Sequence, residues 1–565
     1  MRDWPWLLNY HDLPMIFGTE TELGITLGKL VDSAPGERIR VYHPEEVFPA
    51  MVAAIGMKTN AFTRDPRVPW MRDGLNHLSP EAIKEITEAA IAGDSGRLSE
   101  AFQKLGPLGL SAKDFYLAQV GIYLRNASRL YIDGWHLESS IGECGSPYDV
   151  VCQEKAMEMI IASILPEISG LVGREIRIFK DNTDRKGNSY SCHENFLLTR
   201  EFYEELYKEE SPWSKAWVGF LITSIIYTGA GKVGHELNTE PCDYQISQRA
   251  DHFSRLIGQD TMANRPLINR RDESLTDSEK WGRFHVILSD SSMSEYSSFL
   301  KVGTKALVLN MLQHEFLNGR CEDEFKSLAV PYPVEAIKDI SRDLTCRRPL
   351  TFGKENSSPL AFQKKWHYAA SRFYENSHHY HAAWIKEVLE KWGETLDWLY
   401  TDDSKLDRTL DWRIKRRLIE NYREKRRENG EEIGYSDKRV KAIDVGYHDI
   451  GPGGFYNRLA KAGEVEKIAS ESDIVKAQDN PPENTRAYTR GQFVRHWREH
   501  LLDVQWEHVA FNLKVGDFES MVKVDLNPLI GHRHWWMRDV AGGRGDFESF
   551  CRRFLEAYLK DRDIF

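Results

Sequence analysis

The sequence predicts an α+β protein, on three observations. Arg129-Leu130-Tyr131-Ile132-Asp133, followed by His136-Leu137-Glu138, alternates polar and apolar residues as strands do. Phe17-Gly18-Thr19-Glu20-Thr21-Glu22-Leu23 alternates in the same way. From Ser294 to Glu428, helical patterns dominate instead.

In chain order, the first strand places Glu20 and Glu22 on one face with glycines on either side. Glycine inside a strand marks close approach by a ligand or another backbone. Paired carboxylates there fit a metal-phosphate surface, because magnesium takes oxygen ligands and shares them with substrate phosphates. Residues 29–124 read as an insertion with a proline-rich loop at Pro66–Pro69. Within it, Ser79-Pro80-Glu81 opens a helix through Ala92, with an N-cap serine, a proline at N1 and an acidic first turn, and a further helical pattern reaches Leu105. On the next strand Arg129, Tyr131 and Asp133 share a face, and His136 and Glu138 resume the alternation ahead of Glu143. A solvated edge strand has the same pattern, so the polar face alone does not establish a site.

Residues Asp149–Val172 follow helical spacing, and Glu175–Phe179 a strand that enters an Asx- and Gly-rich turn at Asp181–Asn188. In Ser189–Leu197, His193 and Asn195 share a face. Cys192 reads as core packing and His193 as a hydrogen-bonded core group. Ala216–Ala230 is the most apolar segment, but it is too short and too rich in Thr and Ser to span a bilayer, so a buried helix is expected. The arginines of Gln245–Glu273 fit surface ion pairs or phosphate clamps. Arg283 and His285 share a face of the Arg283–Asp290 strand, and Ser294 opens a helix to about Leu317. The charged tract Asn421–Glu432 marks a boundary, giving a catalytic domain at 1–429 and a small α/β domain at 430–565.

At 565 residues the chain exceeds one compact core, and 41% hydrophobic content is enough to bury a sizeable one. A net charge of −11 and a pI of about 6.0 exclude a protein that neutralises nucleic-acid phosphate over its whole surface. The seven cysteines (144, 152, 192, 242, 321, 346 and 551) have no metal-ligand spacing and read as reduced cytoplasmic thiols. No signal peptide is read at the amino terminus. The phosphate-cradling glycine loop, His-Glu-x-x-His and Gly-x-Ser-x-Gly are all missing.

An ordered set of motifs resembles the Pup ligase and Pup deamidase/depupylase family. It comprises Gly18–Gly24, Arg129–Asp133, Asn188-Ser189-Tyr190 with Cys192–Asn195, Gln248–Asp251, Ile268-Asn269 with Arg271–Glu273, His285–Ile287, and Asn480–Pro482 with Thr485–Ala487. The resemblance implies a glutamine-synthetase-like fold, a curved antiparallel sheet packed by helices, with a small C-terminal domain. It further implies that ATP and magnesium are cofactors and that Glu20, Tyr131 and Glu138 ligate magnesium, with Glu22 and His285 as further metal-site residues. By the same resemblance Asp133 is the catalytic base or nucleophile, Arg129 contacts ATP, Trp506 lies near the adenine, and Arg271 and Arg486 join the cofactor-binding set. The implied partner is a small Pup-like protein modifier with its conjugates, met by a monomer in the cytoplasm without nucleic acid or membrane. Leu137, Ser139 and Ser191 depart from the family's usual Pro, Tyr and Gly and alter the expected local shape of the site.

The family holds opposite activities. Gly18-Thr19-Glu20, the Asp133-x-x-His136 spacing and the insertion before Asn126 resemble the deamidases. Asn188–Tyr190, Gly229–Lys232, Arg265-Pro266, Met293–Glu295 and Tyr447–Ile450 resemble the ligases. Weighting the residues beside Asp133 most heavily gives the expectation of an ATP- and magnesium-dependent deamidase and isopeptidase. The alternative is a ligase that phosphorylates the modifier's C-terminal Glu and joins it to lysines. A non-catalytic modifier-binding protein and a small-molecule amide ligase are further readings.

Overall fold

A computed structural model describes residues 15–30, 47–63, 121–133, 136–183, 187–190, 192–260, 264–319, 328–352, 355–376, 382–516, 518–527 and 546–560. The expected loop at Pro66–Pro69, the helices at Ser79–Ala92 and up to Leu105, and residues Gly134, Trp135, Ser191 and Cys321 lie outside the described residues. The α+β expectation holds: helices and mostly antiparallel strands, with Phe253–Gly258 and Arg265–Asn269 as a parallel pair, make up two compact units. These units interleave along the chain, as 1–21, 145–151 and 179–470 against 22–144, 152–178 and 471–565. The sequence-based boundary at 429 instead falls at the end of one helix, Asp411–Glu428, inside the first unit. Among the described residues no helix is long and apolar enough to cross a membrane.

The strands that carry the candidate residues are β1 (Phe17–Leu30), β2 (Phe62–Thr63), β3 (Ile122–Tyr123), β4 (Arg129–Asp133), β5 (His136–Ser140), β6 (Arg174–Phe179) and β7 (Cys192–Thr199). In the first unit the start of β1 pairs with β7, and β7 pairs with the strand Trp281–Val286, all antiparallel. Phe17, Thr19 and Thr21 are buried while Gly18 and Glu20 alternate to the other, half-buried side. Gly282 is required in the third strand, because a Cβ there would stand 2.2 Å from the Tyr203 ring.

The core of this unit is the helix Glu295–Leu317, buried on every side from Glu295 to His314. Ser294 caps it by accepting from the Ser297 amide. Around it Trp217, Trp366, Trp392 and Trp412 are fully buried. The expected Ala216–Ala230 helix is two pieces, Pro212–Thr223 and Ile225–Thr228, and the first is capped by Ser211 with proline at N1. Likewise, the helical pattern at Asp149–Val172 is realised as Pro147–Ala162 and Leu165–Val172.

In the second unit the strand order runs from β1 through β5, β4 and β3 to β2, with β6 also pairing β1. A separate antiparallel sheet, Leu501–Val504, His508–Val515 and Phe518–Asp525, packs with the helices Arg486–Trp497 and Phe547–Lys560. Their shared core includes Phe493, Trp497, Val509, Phe511, Phe550 and Phe554. Burying such aromatic rings contributes roughly 1.5–3 kcal/mol apiece, which holds this sheet beside Phe62 and Tyr123 in one apolar cluster.

Candidate functional site

The first unit assembles one cluster by strand register. Glu20 stands opposite His193, and His285 opposite Asn195, so four polar side chains meet on one sheet face. Glu20 Oε1 accepts from Asn195 Nδ2 at 3.0 Å and from Arg283 Nη1 at 3.2 Å, and Oε2 lies 3.4 Å from His193 Nδ1. The Asn195 carbonyl oxygen accepts from Arg283 at 2.7 Å and lies 2.8 Å from His285 Nδ1. An amide oxygen only accepts, so His285 carries its proton on Nδ1 and turns the Nε2 lone pair away. That buried Nε2 has no hydrogen-bond partner among the described residues. Burial pushes the His285 imidazole well below its ordinary pKa and keeps it neutral, the form that ligates metals. Burial also opposes ionisation of Glu20, but the His193 hydrogen bond and neighbouring charges, of which Arg283 is the permanent one, hold its carboxyl well below the usual carboxylate range.

The second unit assembles another cluster on the β4–β5 hairpin. Tyr131 is paired with Glu138, and Asp133 with His136. The Tyr131 hydroxyl donates to Glu138 Oε1 at 2.5 Å, and Ser140 Oγ lies 3.4 Å from the same hydroxyl. Glu138 is buried, whereas Glu22 and Asp133 are half-buried. One oxygen from each of Glu22, Asp133 and Glu138 falls within 4.8 Å of the others. The same spacing holds for ligand atoms of Glu20, His193 and His285. Both donor sets fit a divalent cation: three carboxylates suit magnesium, and a carboxylate with two imidazoles accepts a wider range of ions.

Cations and rings extend the second cluster. The Arg129 guanidinium lies 4.4 Å from the Tyr131 ring centre and 5.6 Å from that of Tyr123. Tyr123 meets Trp506 edge-on at 5.8 Å, and Arg490 sits 4.7 Å over the Trp506 ring. Arg486 is turned toward Glu143, 2.7 Å away, and toward the Leu526 carbonyl at 3.1 Å. Arg271 is half-exposed and pairs with Glu273 at 3.1 Å.

The expected residues therefore gather as Glu20 with His285, and as Glu22, Tyr131, Asp133 and Glu138 with Arg129 beside them. Arg271 and Arg486 have acidic partners instead. From sequence His193 reads as a hydrogen-bonded core group, and Arg283, Tyr123, Glu143 and Arg490 have no part in a site. His193 was legible as the face partner of Asn195, but its place opposite Glu20 comes only from strand register.

Comparison with known proteins places the chain. Residues 15–510 match the sequence model described as Pup-ligase protein. A Pup–protein ligase of Mycobacteroides abscessus is 37% identical over 403 residues, covering 69% of this chain and 84% of the relative. Pup–protein ligase 1 of Rhodococcus erythropolis matches to the same extent. Among solved structures, the complex between prokaryotic ubiquitin-like protein Pup and its ligase PafA matches with a TM-score of 0.69 at 26% identity, covering 94% of this chain and 92% of that one. PafA in complex with ADP matches with a TM-score of 0.64 at 27% identity, over 82% of this chain and 93% of that one.

These relatives are ligases, and they overturn the expectation of a deamidase and depupylase. The physical reason lies in where each signal sits. Asp133 and His136 face each other in register, so the spacing between them measures the length of the hairpin connection and not the reaction. The ligase-like motifs are instead spread through buried networks. Asn182 donates to the Tyr190 carbonyl, Arg249 to Ser189, and Lys232 to Glu236. Glu295 accepts from the amides of Ile468 and Ala469, and Tyr447 donates to Asp411. Such networks resist substitution because each unpaired buried group costs free energy. The chain belongs to the Pup-ligase protein family.

Proposed function

We propose that the protein is an ATP-dependent ligase that joins the C-terminal glutamate of a Pup-like modifier to lysines of other proteins. The observation that carries this reading is the extent of the likeness to PafA bound to Pup, which covers 94% of the chain. The likeness to PafA in complex with ADP supports a nucleotide as co-substrate.

In the proposed reaction the γ-phosphoryl group of ATP passes to the modifier's terminal carboxylate and ADP leaves. The lysine amine then attacks the acyl carbon, phosphate departs with its electron pair, and an isopeptide bond forms. The Asp133 carboxylate takes the proton from the attacking amine. The Arg129 guanidinium supplies fixed positive charge toward phosphate, and Tyr131 fixes the orientation of Glu138 through its 2.5 Å hydrogen bond. Glu22 and Glu138 in the second unit, and separately Glu20 and His285 in the first, would hold magnesium, whose chemistry when bound would be to neutralise charge on phosphate oxygens. The sparse, odd number of cysteines suits the reducing cytoplasm proposed as its compartment.

The test is stoichiometric. Conjugation of the terminal-Glu modifier to a lysine-bearing protein should release one ADP and one phosphate per bond formed. Conjugates accumulating without nucleotide consumption would refute this reading.

A further inference from the structure

Glu143 is a half-buried carboxylate with no part in the proposed chemistry. It is clamped by two arginines one helical turn apart, Arg486 at 2.7 Å and Arg490 at 2.6 Å. Its backbone carbonyl also accepts from the Thr485 hydroxyl at 2.6 Å, and Thr485 caps the helix Arg486–Trp497. A carboxylate at a helix N-terminus adds favourable charge, so Glu143 fixes both the start of this helix and the direction of its arginines.

Arg490 carries that constraint onward. Its Nη1 donates to the Trp506 carbonyl at 3.0 Å and its Nη2 to the Ala127 carbonyl at 3.3 Å, and the guanidinium carbon lies 4.7 Å over the Trp506 ring centre. Trp506 is half-buried and is braced from its edge by Tyr123. Tyr123 is held in turn by pairing with Phe62 and by its hydroxyl, which donates to Gln505 at 3.4 Å. The series continues through Arg129 and Tyr131 to Glu138. A cation on one face withdraws π-density from an indole, which favours stacking of an electron-rich purine on that ring.

We propose that Glu143 and Arg490 are positioning residues for the base of a purine nucleotide, acting through Trp506. This inference rests on the nucleotide-dependent reading above. Neither residue touches the reacting atoms, so their loss weakens nucleotide binding and leaves the chemical step intact once nucleotide saturates.

The experiment is calorimetric titration of the full-length protein with ADP in the presence of magnesium, for wild type, Glu143→Gln, Arg490→Lys, Trp506→Leu and the double variant Glu143→Gln/Trp506→Leu. Thermal melts confirm folding of each. Glu143→Gln and Arg490→Lys should each weaken ADP binding about tenfold, and the double variant should bind no worse than Trp506→Leu alone, because residues acting through one contact are not additive. In conjugation assays Glu143→Gln should raise KM for ATP and leave kcat within about twofold. A folded Glu143→Gln protein with wild-type ADP affinity, or additive losses in the double variant, would overturn the proposal. A wild-type protein that binds no nucleotide would overturn the ligase reading itself, and the two failures are thereby told apart.

Discussion

Tyr131 and Glu138 share a 2.5 Å hydrogen bond across the β4–β5 hairpin, from the phenol to Oε1 of the carboxylate. Because the two residues are direct cross-strand partners, strand pairing alone brings them together. The bond aims one carboxylate oxygen, and Glu22 and Asp133 each bring an oxygen within 4.8 Å of the cluster.

Replacing Tyr131 with Phe keeps the ring beneath Arg129 and removes this bond. The conjugation rate should fall roughly 10–100-fold at limiting magnesium, the usual cost of losing an outer partner of a metal ligand. Raising magnesium should recover much of the loss. A magnesium titration of the rate checks this, and an unchanged apparent magnesium affinity would remove Tyr131 from the account.

Asp133 is expected to act as the base. Asp133→Asn keeps the shape but not the basicity, so turnover should fall by about 10²–10⁴-fold while ADP still binds. Equal losses of binding and turnover would mean that Asp133 serves the fold or the metal and not the proton transfer.

Arg283 neutralises Glu20 from 3.2 Å in a half-buried cluster. Arg283→Met leaves that carboxylate without its permanent cation and should destabilise the protein by roughly 1–3 kcal/mol. A divalent ion replaces the missing charge, so magnesium should raise the melting temperature of the variant more than that of wild type. Differential scanning calorimetry with and without magnesium decides it, and identical shifts in the two proteins would count against a metal at Glu20.

Glu143 sets a pH dependence of stability. Burial raises its pKa, but Arg490 and Arg486 lower it further, to about 2 from an ordinary 4.5. A carboxyl lowered on folding contributes stability that is complete above the unfolded pKa of 4.5 and is lost as pH falls toward about 2. The contribution near neutral pH is about 3 kcal/mol. Urea unfolding from pH 7 to pH 3 should therefore show a steeper acid loss in wild type than in Glu143→Gln.

Much of the architecture was legible because periodicity is local. Glu20 and Glu22, the polar face of Arg129–Asp133, and the helix beginning after Ser294 all follow from spacing and capping. Register is not local. Nothing in the sequence near His193 states that it faces Glu20, nor does anything near Arg283 announce its reach to that carboxylate. The interleaved units escaped for the same reason: the tract at Asn421–Glu432 ends a helix whose buried Asp411 and Trp412 tie it to the body of the first unit. The choice between ligase and deamidase is not legible at Asp133, because its spacing to His136 sets a hairpin length and not a reaction.

The most direct test of the central claim is intact mass spectrometry of a Pup-like modifier, in terminal-Glu and terminal-Gln forms, incubated with the protein, ATP, magnesium and a lysine-bearing acceptor. The ligase account predicts a covalent adduct from the terminal-Glu form alone, equal in mass to modifier plus acceptor less one water, and none with Asp133→Asn. Conversion of the terminal-Gln form to the terminal-Glu form with no adduct from either would contradict it.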